Sequence, residues 1–458
     1  MPTTSRCETA QRSTRCHCET AQRSTQSLAT LTVALATLAA LPAPASAQQV
    51  LTLGDAARLA AAQSPAAAAA KERAYQSGAR AVRTRAELLP SLSSAALIDG
   101  GTNLPGWNGG TIPSSPLGAA GSNRTLDMQL RVTQKVFDLG ALRRWRASAA
   151  EAEAAGAGAH AAAEAAAEDG ALAYLRVLRA DARLAARLAD SSLAAELLDI
   201  ARQQLAAGTA IALDVTRSES QLASAASQLI AGRSERDLAR LELLRVLGLP
   251  IDTRVALGDS LTLPARDEVN VSEADAVKTA FTRRGDVLAA SATVNAARRQ
   301  VGAVRAERLP SVSLFGAAGS NADGVMDSHT YGIQVSVALF DGFSREARVA
   351  EGRAREREAD AQAREVTLRT EVEVRSALLD LASAREQVAA AGVQLRLAEQ
   401  EVAQARDRFR AGIAGNADVI NASLTLNRAR DTVVDALSAY HGARVELAAA
   451  QGATVGMR

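Results

Sequence analysis

Thiols are scarce in this 458-residue chain, and the three cysteines, Cys7, Cys16 and Cys18, all lie near its start. The long remainder therefore has no disulfide and no thiolate ligand for a metal. A surplus of one charge is missing as well: 52 basic side chains face 50 acidic ones, for a net charge of +2. That balance argues against a nucleic-acid partner, because affinity for polyanions is dominated by clustered basic charge. Beyond residue 47 no run approaches the roughly eighteen consecutive apolar residues of a membrane-crossing helix, so a chain that spans a bilayer must do so with β-strands. Phosphate-cradling glycine loops are absent, and so are the Gly-x-Ser-x-Gly and His-Glu-x-x-His constellations. His160, His329 and His441 stand far apart, without metal-ligand spacing. Neither an enzyme, a metal site nor a cofactor is expected.

What is present begins with a leader. The apolar run Leu28 to Leu41 precedes Pro42, Pro44 and Ala45-Ser46-Ala47, and it reads as a secretory signal cleaved before Gln48. Its basic n-region is atypical, since Cys7 to Thr14 is duplicated at Cys18 to Thr25. The Cys16-His17-Cys18 run falls inside this leader and is not read as a metal site. No cysteine follows the cleavage site, so N-terminal lipidation is not expected.

The rest of the chain repeats itself in order. Glu87-Leu88-Leu89-Pro90-Ser91 returns as Glu307-Arg308-Leu309-Pro310-Ser311, and Val136-Phe137-Asp138 returns as Leu339-Phe340-Asp341. Ala207-Gly208 with Asp214-Val215 returns as Ala411-Gly412 with Asp418-Val419. A tandem structural repeat accounts for this shared order. The expected organisation is a signal segment over 1–47, a first repeat over 48–249, a linker over 250–271, a second repeat over 272–452 and a tail over 453–458.

Within each repeat the hydrophobic period changes. Thr52-x-x-Asp55 and Ser272-x-x-Asp275 each open a helix with a capping-box-like start, and the helices are expected to run to the Leu-Pro pairs at Pro90 and Pro310. Period two follows: Leu126, Met128, Leu130 and Val132 in one repeat, and Tyr331, Ile333, Val335, Val337 and Leu339 in the other, alternate with polar or small residues. Partner strands are expected at about 91–98 and 311–318, with loops rich in Gly, Pro, Ser, Asn and Asp between them. Seven of the twelve aromatics, including Trp107, Phe137, Trp145, Phe340 and Phe343, fall within or beside these hairpins. Such a distribution suits a membrane-water interface, although an aromatic cluster in a small soluble sheet would also produce it.

Proline-free segments rich in Ala, Arg, Glu and Leu follow, from Gly140 to about Leu205 and from Gly342 to about Arg410. Helices of that length span roughly 100 Å, which predicts coiled-coil rods. Each rod turns at Gly208 or Gly412, and a helix returns. In the second return helix Val419, Leu426, Val433, Tyr440 and Leu447 form one heptad position, and Ala422, Ala429, Ala436, Ala443 and Ala450 form another. Two hairpins provide four strands, and an open four-stranded sheet in lipid would leave edge groups without hydrogen-bond partners. A spanning chain must therefore oligomerise. Known barrels need at least about eight strands, so two copies could close a small barrel with a filled interior, whereas three copies give twelve strands and room for a lumen, and the same threefold operation would gather the rods into a tube.

The ordered landmarks Thr52-Leu53-Gly54-Asp55-Ala56, Leu89-Pro90-Ser91, Gln134-Lys135-Val136-Phe137-Asp138 and Ala207-Gly208, with their returns through Arg408-Phe409-Arg410-Ala411-Gly412, resemble TolC-like outer-membrane efflux proteins. The resemblance extends over about 51–452. It implies a mainly α, mixed α/β protein of internally duplicated helical hairpins with two β-hairpins, assembled as a homotrimer whose twelve-stranded transmembrane β-barrel continues into an α-helical periplasmic tunnel. It further implies an outer-membrane channel that acts as a passive exit duct for efflux or type I secretion. Its partners would be a periplasmic adaptor (membrane fusion) protein, an inner-membrane pump and outer-membrane lipid.

By the same resemblance, Ala207, Gly208, Ala411 and Gly412 match the adaptor-facing tips. Glycine would also be needed there simply to turn between helices. Asp214 and Asp418 match aspartates near the periplasmic gate, where threefold copies form carboxylate rings; capping of the return helices is the competing reading. Asn421, Phe409 and Ala414 stand where the best-known member's pattern has an aspartate, a tyrosine and an arginine. The competing function is a soluble periplasmic coiled-coil adaptor or structural protein. The cargo is not legible.

Overall fold

The computed structural model describes residues 49–102, 122–263, 272–320, 326–413 and 415–457. The leader, Trp107 and Ala414 lie outside the described residues. The chain divides into a small unit, residues 1–50 with 254–256, and a large one formed by the remainder. Gln49, Val50, Val255 and Ala256 of the small unit belong to a two-stranded sheet of β1 (Gln49–Leu51) and β4 (Val255–Leu257).

The large unit begins with α1 (Leu53–Gln63), α2 (Pro65–Ala86), β2 (Ser91–Thr102) and β3 (Ser122–Phe137). Next come the long α3 (Leu139–Ala206) and its return helix α4 (Ala212–Leu247). The second series is α5 (Glu273–Arg283), α6 (Gly285–Ala306), β5 (Ser311–Ser320), β6 (Met326–Ser336), α7 (Ser344–Arg410) and α8 (Asn416–Ala450), closed by a short 3₁₀ turn at Thr454–Gly456. No described helix is long and apolar enough to cross a membrane.

Thr52 and Asp55 form a reciprocal capping box at the start of α1. The helix does not continue to Pro90 as expected. Ser64 stops it, caps the Ala67 N–H and leaves Pro65 at the first position of α2, where a missing N–H costs nothing. The second series breaks at Arg284–Gly285 for a different reason. A Cβ on Gly285 would stand 2.5 Å from the backbone nitrogen of Ala161, so glycine permits α6 to lie directly on α3.

The two Phe-Asp landmarks also diverge. Asp138 is the N-cap of α3 and accepts from the Ala141 N–H at 2.8 Å. Asp341 instead pairs with Arg345 at 3.4 Å, and the chain enters α7 through Gly342 and Phe343, both at positive φ.

The four strands β2, β3, β5 and β6 form one antiparallel sheet in that order. Its register sets Leu92 opposite Val132, Val132 opposite Gly316 and Gly316 opposite Tyr331, and one row further Leu314 stands opposite Ile333. Directly opposed residues share a face, so the alternating apolar residues of all four strands gather on one side. That side is open: Tyr331, Ile333 and Val335 are 83%, 68% and 66% exposed. Strand β6 ends at Ser336 rather than Leu339, because its partner β5 begins at Ser311, immediately after Pro310. The outer strands β2 and β6 each keep an edge without a partner strand among the described residues.

All ten expected heptad positions of α8 face the interior; nine are buried and Val433 is half-buried against the same core. Tyr440, Leu447, Val374 and Leu381 build that core where α5, α7 and α8 meet. Charge joins α8 to α3: Arg179 and Arg183 reach Asp435, Arg187 reaches Asp431 at 2.6 Å, and Arg430 reaches the buried Asp190 at 2.6 Å. The ladder follows the helical i, i+4 spacing of its arginines.

Candidate functional site at the helical tips

Both long helices end in the same motif. The Gly208 N–H donates to the Leu205 carbonyl and the Thr209 N–H to the Gln204 carbonyl; Gly412 and Ile413 repeat this with Phe409 and Arg408. This is the Schellman closure, which requires a left-handed residue after the cap. Gly208 and Gly412 supply it at φ 76° and 72°. An added Cβ at either would meet nothing within 4 Å, so backbone conformation alone calls for glycine there. Ala207, Gly208, Ala411 and Gly412 are all exposed. Ile211, at 60% exposure, and Ile413, at 74%, give these tips an apolar surface.

The expected gate residues do not share one environment. Asp214 is half-buried and Asp418 exposed, each in the first turn of its return helix. The N-cap residues are Ile211 and Gly415, and neither makes a side-chain capping bond. The aspartates therefore favour the helix starts through charge, not by capping an N–H. Asn421 is exposed, and its carbonyl accepts from Thr425 at 3.1 Å. Phe409 is buried among Leu197, Ala201 and Val419, where it packs α7 and α8 against α3.

Several residues not expected from the sequence join the two coiled coils beside these tips. Asn416, fully buried, donates from Nδ2 to the Asp214 carbonyl at 2.7 Å and to Ser218 Oγ at 2.8 Å. Gln204 Nε2 donates to the Phe409 carbonyl at 2.6 Å. Glu196 on α3 receives Arg406 at 3.4 Å and Arg410 at 2.5 Å from α7. The i, i+4 spacing of Arg406 and Arg410 was a sequence signal for a shared partner; Asn416 had none. This cluster can tie α3 and α4 to α7 and α8 at their ends, and it has no nucleophile-base arrangement. Among the described residues no group of three or more His, Cys, Asp or Glu side chains is placed to hold a metal ion.

Residues 276–453 match the family described as Outer membrane efflux protein. The Toluene efflux pump outer membrane protein TtgF of Pseudomonas putida is 31% identical over 211 residues, which is 45% of this chain and 42% of that protein. The chain thus matches less than half the length of that relative. Among solved structures, the CmeC outer membrane channel of Campylobacter jejuni superimposes with a TM-score of 0.75 at 18% identity, covering 88% of this chain and 86% of CmeC. VceC of Vibrio cholerae gives 0.73 at 22% identity, covering 87% and 96%. These likenesses establish the mainly helical channel fold. Residues 276–453 thus resemble the outer membrane efflux protein family, and the described fold is that of the solved outer membrane channels.

Proposed function

We propose that the protein is the outer-membrane channel component of a tripartite efflux or type I secretion system, a passive exit duct with no enzymatic step. The observation that carries this reading is the sheet. One face is mostly apolar and open, both edges lack a partner strand among the described residues, and β3 and β6 are followed by helices of 68 and 67 residues. Left alone in lipid, each edge would hold several unsatisfied N–H and C=O groups. Three copies pairing β2 of one with β6 of the next close a twelve-stranded barrel, and the same rotation sets the long helices side by side as a periplasmic tunnel. Residues 48–249 and 272–452 are then two structural repeats joined by the linker 250–271.

In this reading Ala207, Gly208, Ala411 and Gly412 meet a periplasmic adaptor protein, which couples the duct to an inner-membrane pump. Asp214, Asp418, Asn421 and Phe409 line or support the periplasmic gate, with Asn416 and Glu196 holding the two coiled coils together beside it. TtgF is described as part of a toluene efflux pump; the cargo of this chain is left to its pump and adaptor. Fractionation tests the assignment. A detergent-extracted, outer-membrane trimer is expected, whereas a water-soluble monomer would favour a periplasmic coiled-coil adaptor.

A further inference from the structure

Positive charge is concentrated where the strands give way to the helices. Over residues 80–90, 135–146, 305–308 and 341–348 there are eleven cations and five carboxylates, a net charge of +6, against +2 for the entire chain. Every one of those carboxylates is occupied within the band. Glu87 takes Arg144, Asp138 takes Lys135, Glu307 takes Arg348, Asp341 takes Arg345 and Glu346 takes Arg308, at 2.8–3.4 Å.

Six arginines are left: Arg80, Arg83, Arg85, Arg143, Arg146 and Arg305. All are exposed, and none has a carboxylate partner among the described residues. Arg85 lies over the Trp145 ring at 5.9 Å from its centre, and Arg143 donates to the Gly302 carbonyl at 3.1 Å. Three helices thereby bring their unmatched cations to one level. Val82, three residues before Arg85 in α2, and Leu89, just past the end of that helix, are 69% and 54% exposed.

The helix dipole accounts for part of this pattern. Arg83, Arg85 and Arg305 sit in last turns, where cations are favoured, but Arg143 and Arg146 follow the start of α3, where they gain nothing from it. Along the helix axes Arg85, Arg143 and Arg305 lie roughly 9 Å from the strand ends, close to the depth of about 5–8 Å of one headgroup layer. Guanidinium groups beside an indole and exposed aliphatic side chains match a phosphate that sits over acyl chains.

We propose that this band is a collar for anionic phospholipid headgroups on the periplasmic leaflet. The inference rests on the channel reading above, which sets the strand ends at the membrane surface. Its test uses the full-length protein purified in detergent, with retained lipid counted by native mass spectrometry after addition of phosphatidylglycerol or phosphatidylethanolamine. Several-fold greater retention of phosphatidylglycerol is expected, weakening with added salt. The variant carrying Arg83→Gln, Arg85→Gln, Arg143→Gln, Arg146→Gln and Arg305→Gln should remain a trimer and retain the two lipids equally. Equal retention by the unaltered protein, or a preference that survives in the variant, would overturn the collar. So would loss of phosphatidylglycerol to millimolar inorganic phosphate, which would mark an unselective anion surface. A conducting trimer without lipid preference refutes the collar alone; a water-soluble monomer refutes the channel reading and the collar with it.

Discussion

Two residues show how burial and charge compete inside the helical part. Asp190 is 3% exposed, between Arg430 at 2.6 Å and Arg187 at 3.4 Å. Burial pushes its carboxyl up from the ordinary value, and the two arginines offset this only in part. Asp190→Ala should therefore cost about 3 kcal/mol, by leaving Arg430 without its anion beside Arg187, which keeps only Asp431. Thermal melts followed by circular dichroism would detect this as a lower midpoint. His441 is governed by burial, which lowers its pKa from 6.5, with the nearby Arg444 adding to the effect against Thr262 and Asp259. Its ring lies 2.9 Å from the Thr262 carbonyl and edge-on to Tyr440. Because the folded state favours the neutral ring, this contribution is complete above pH 6.5 and is lost as pH falls below that value toward the lowered folded pKa. His441→Gln should flatten the loss of thermal stability between neutral and mildly acidic pH; an unchanged slope would assign that loss to other groups. Asp190 and His441 were both visible as letters in the chain. Their environments were not, since Arg430 and Thr262 are distant in sequence and only the fold brings them near.

At the level of elements, the strongest periodicities were legible. The α8 heptad, the helix turns at Gly208 and Gly412 and the period-two strands all appear close to the expected residues, because each is a local pattern in which every member faces the same way. Boundaries set by pairing were less accessible. The end of β6 at Ser336 depends on where β5 begins, and the seat of Gly285 on Ala161 depends on a helix more than a hundred positions earlier in the chain. Ser64–Pro65 was different: both letters signal a new helix start, but the longer apolar pattern masked the break. The candidate tip offers a sharp prediction. Replacing Gly208 and Gly412 with valine forces a β-branched residue into left-handed backbone at a cost of about 1–2 kcal/mol each. Adaptor capture by the tagged trimer should weaken while the trimer persists; undiminished capture would remove the tips from the docking surface. Asn416→Ala should loosen α8 from α4 by deleting both bonds of its amide, and single-channel recordings should show a higher open probability. Asn416 itself was not foreseen. A buried amide beside a helix start has no sequence signature apart from the neighbouring Asp418, which drew the gate assignment two residues away.

For the whole molecule, assembly decides function. One chain offers four strands with an open apolar face, and the same chain carries exposed aliphatic residues along α7, among them Leu368, Val372 and Leu379. A trimer would satisfy both surfaces at once, pairing the strand edges in lipid and covering helix faces in water. Neither demand refers to a substrate, so the proposed conduit rests on assembly and its cargo is not legible. Planar-bilayer recording of the purified trimer is the most direct test of the conduit. The account predicts discrete, reproducible conductance steps that require no nucleotide or other energy source. A well-folded trimer that inserts into the bilayer and never conducts would contradict it.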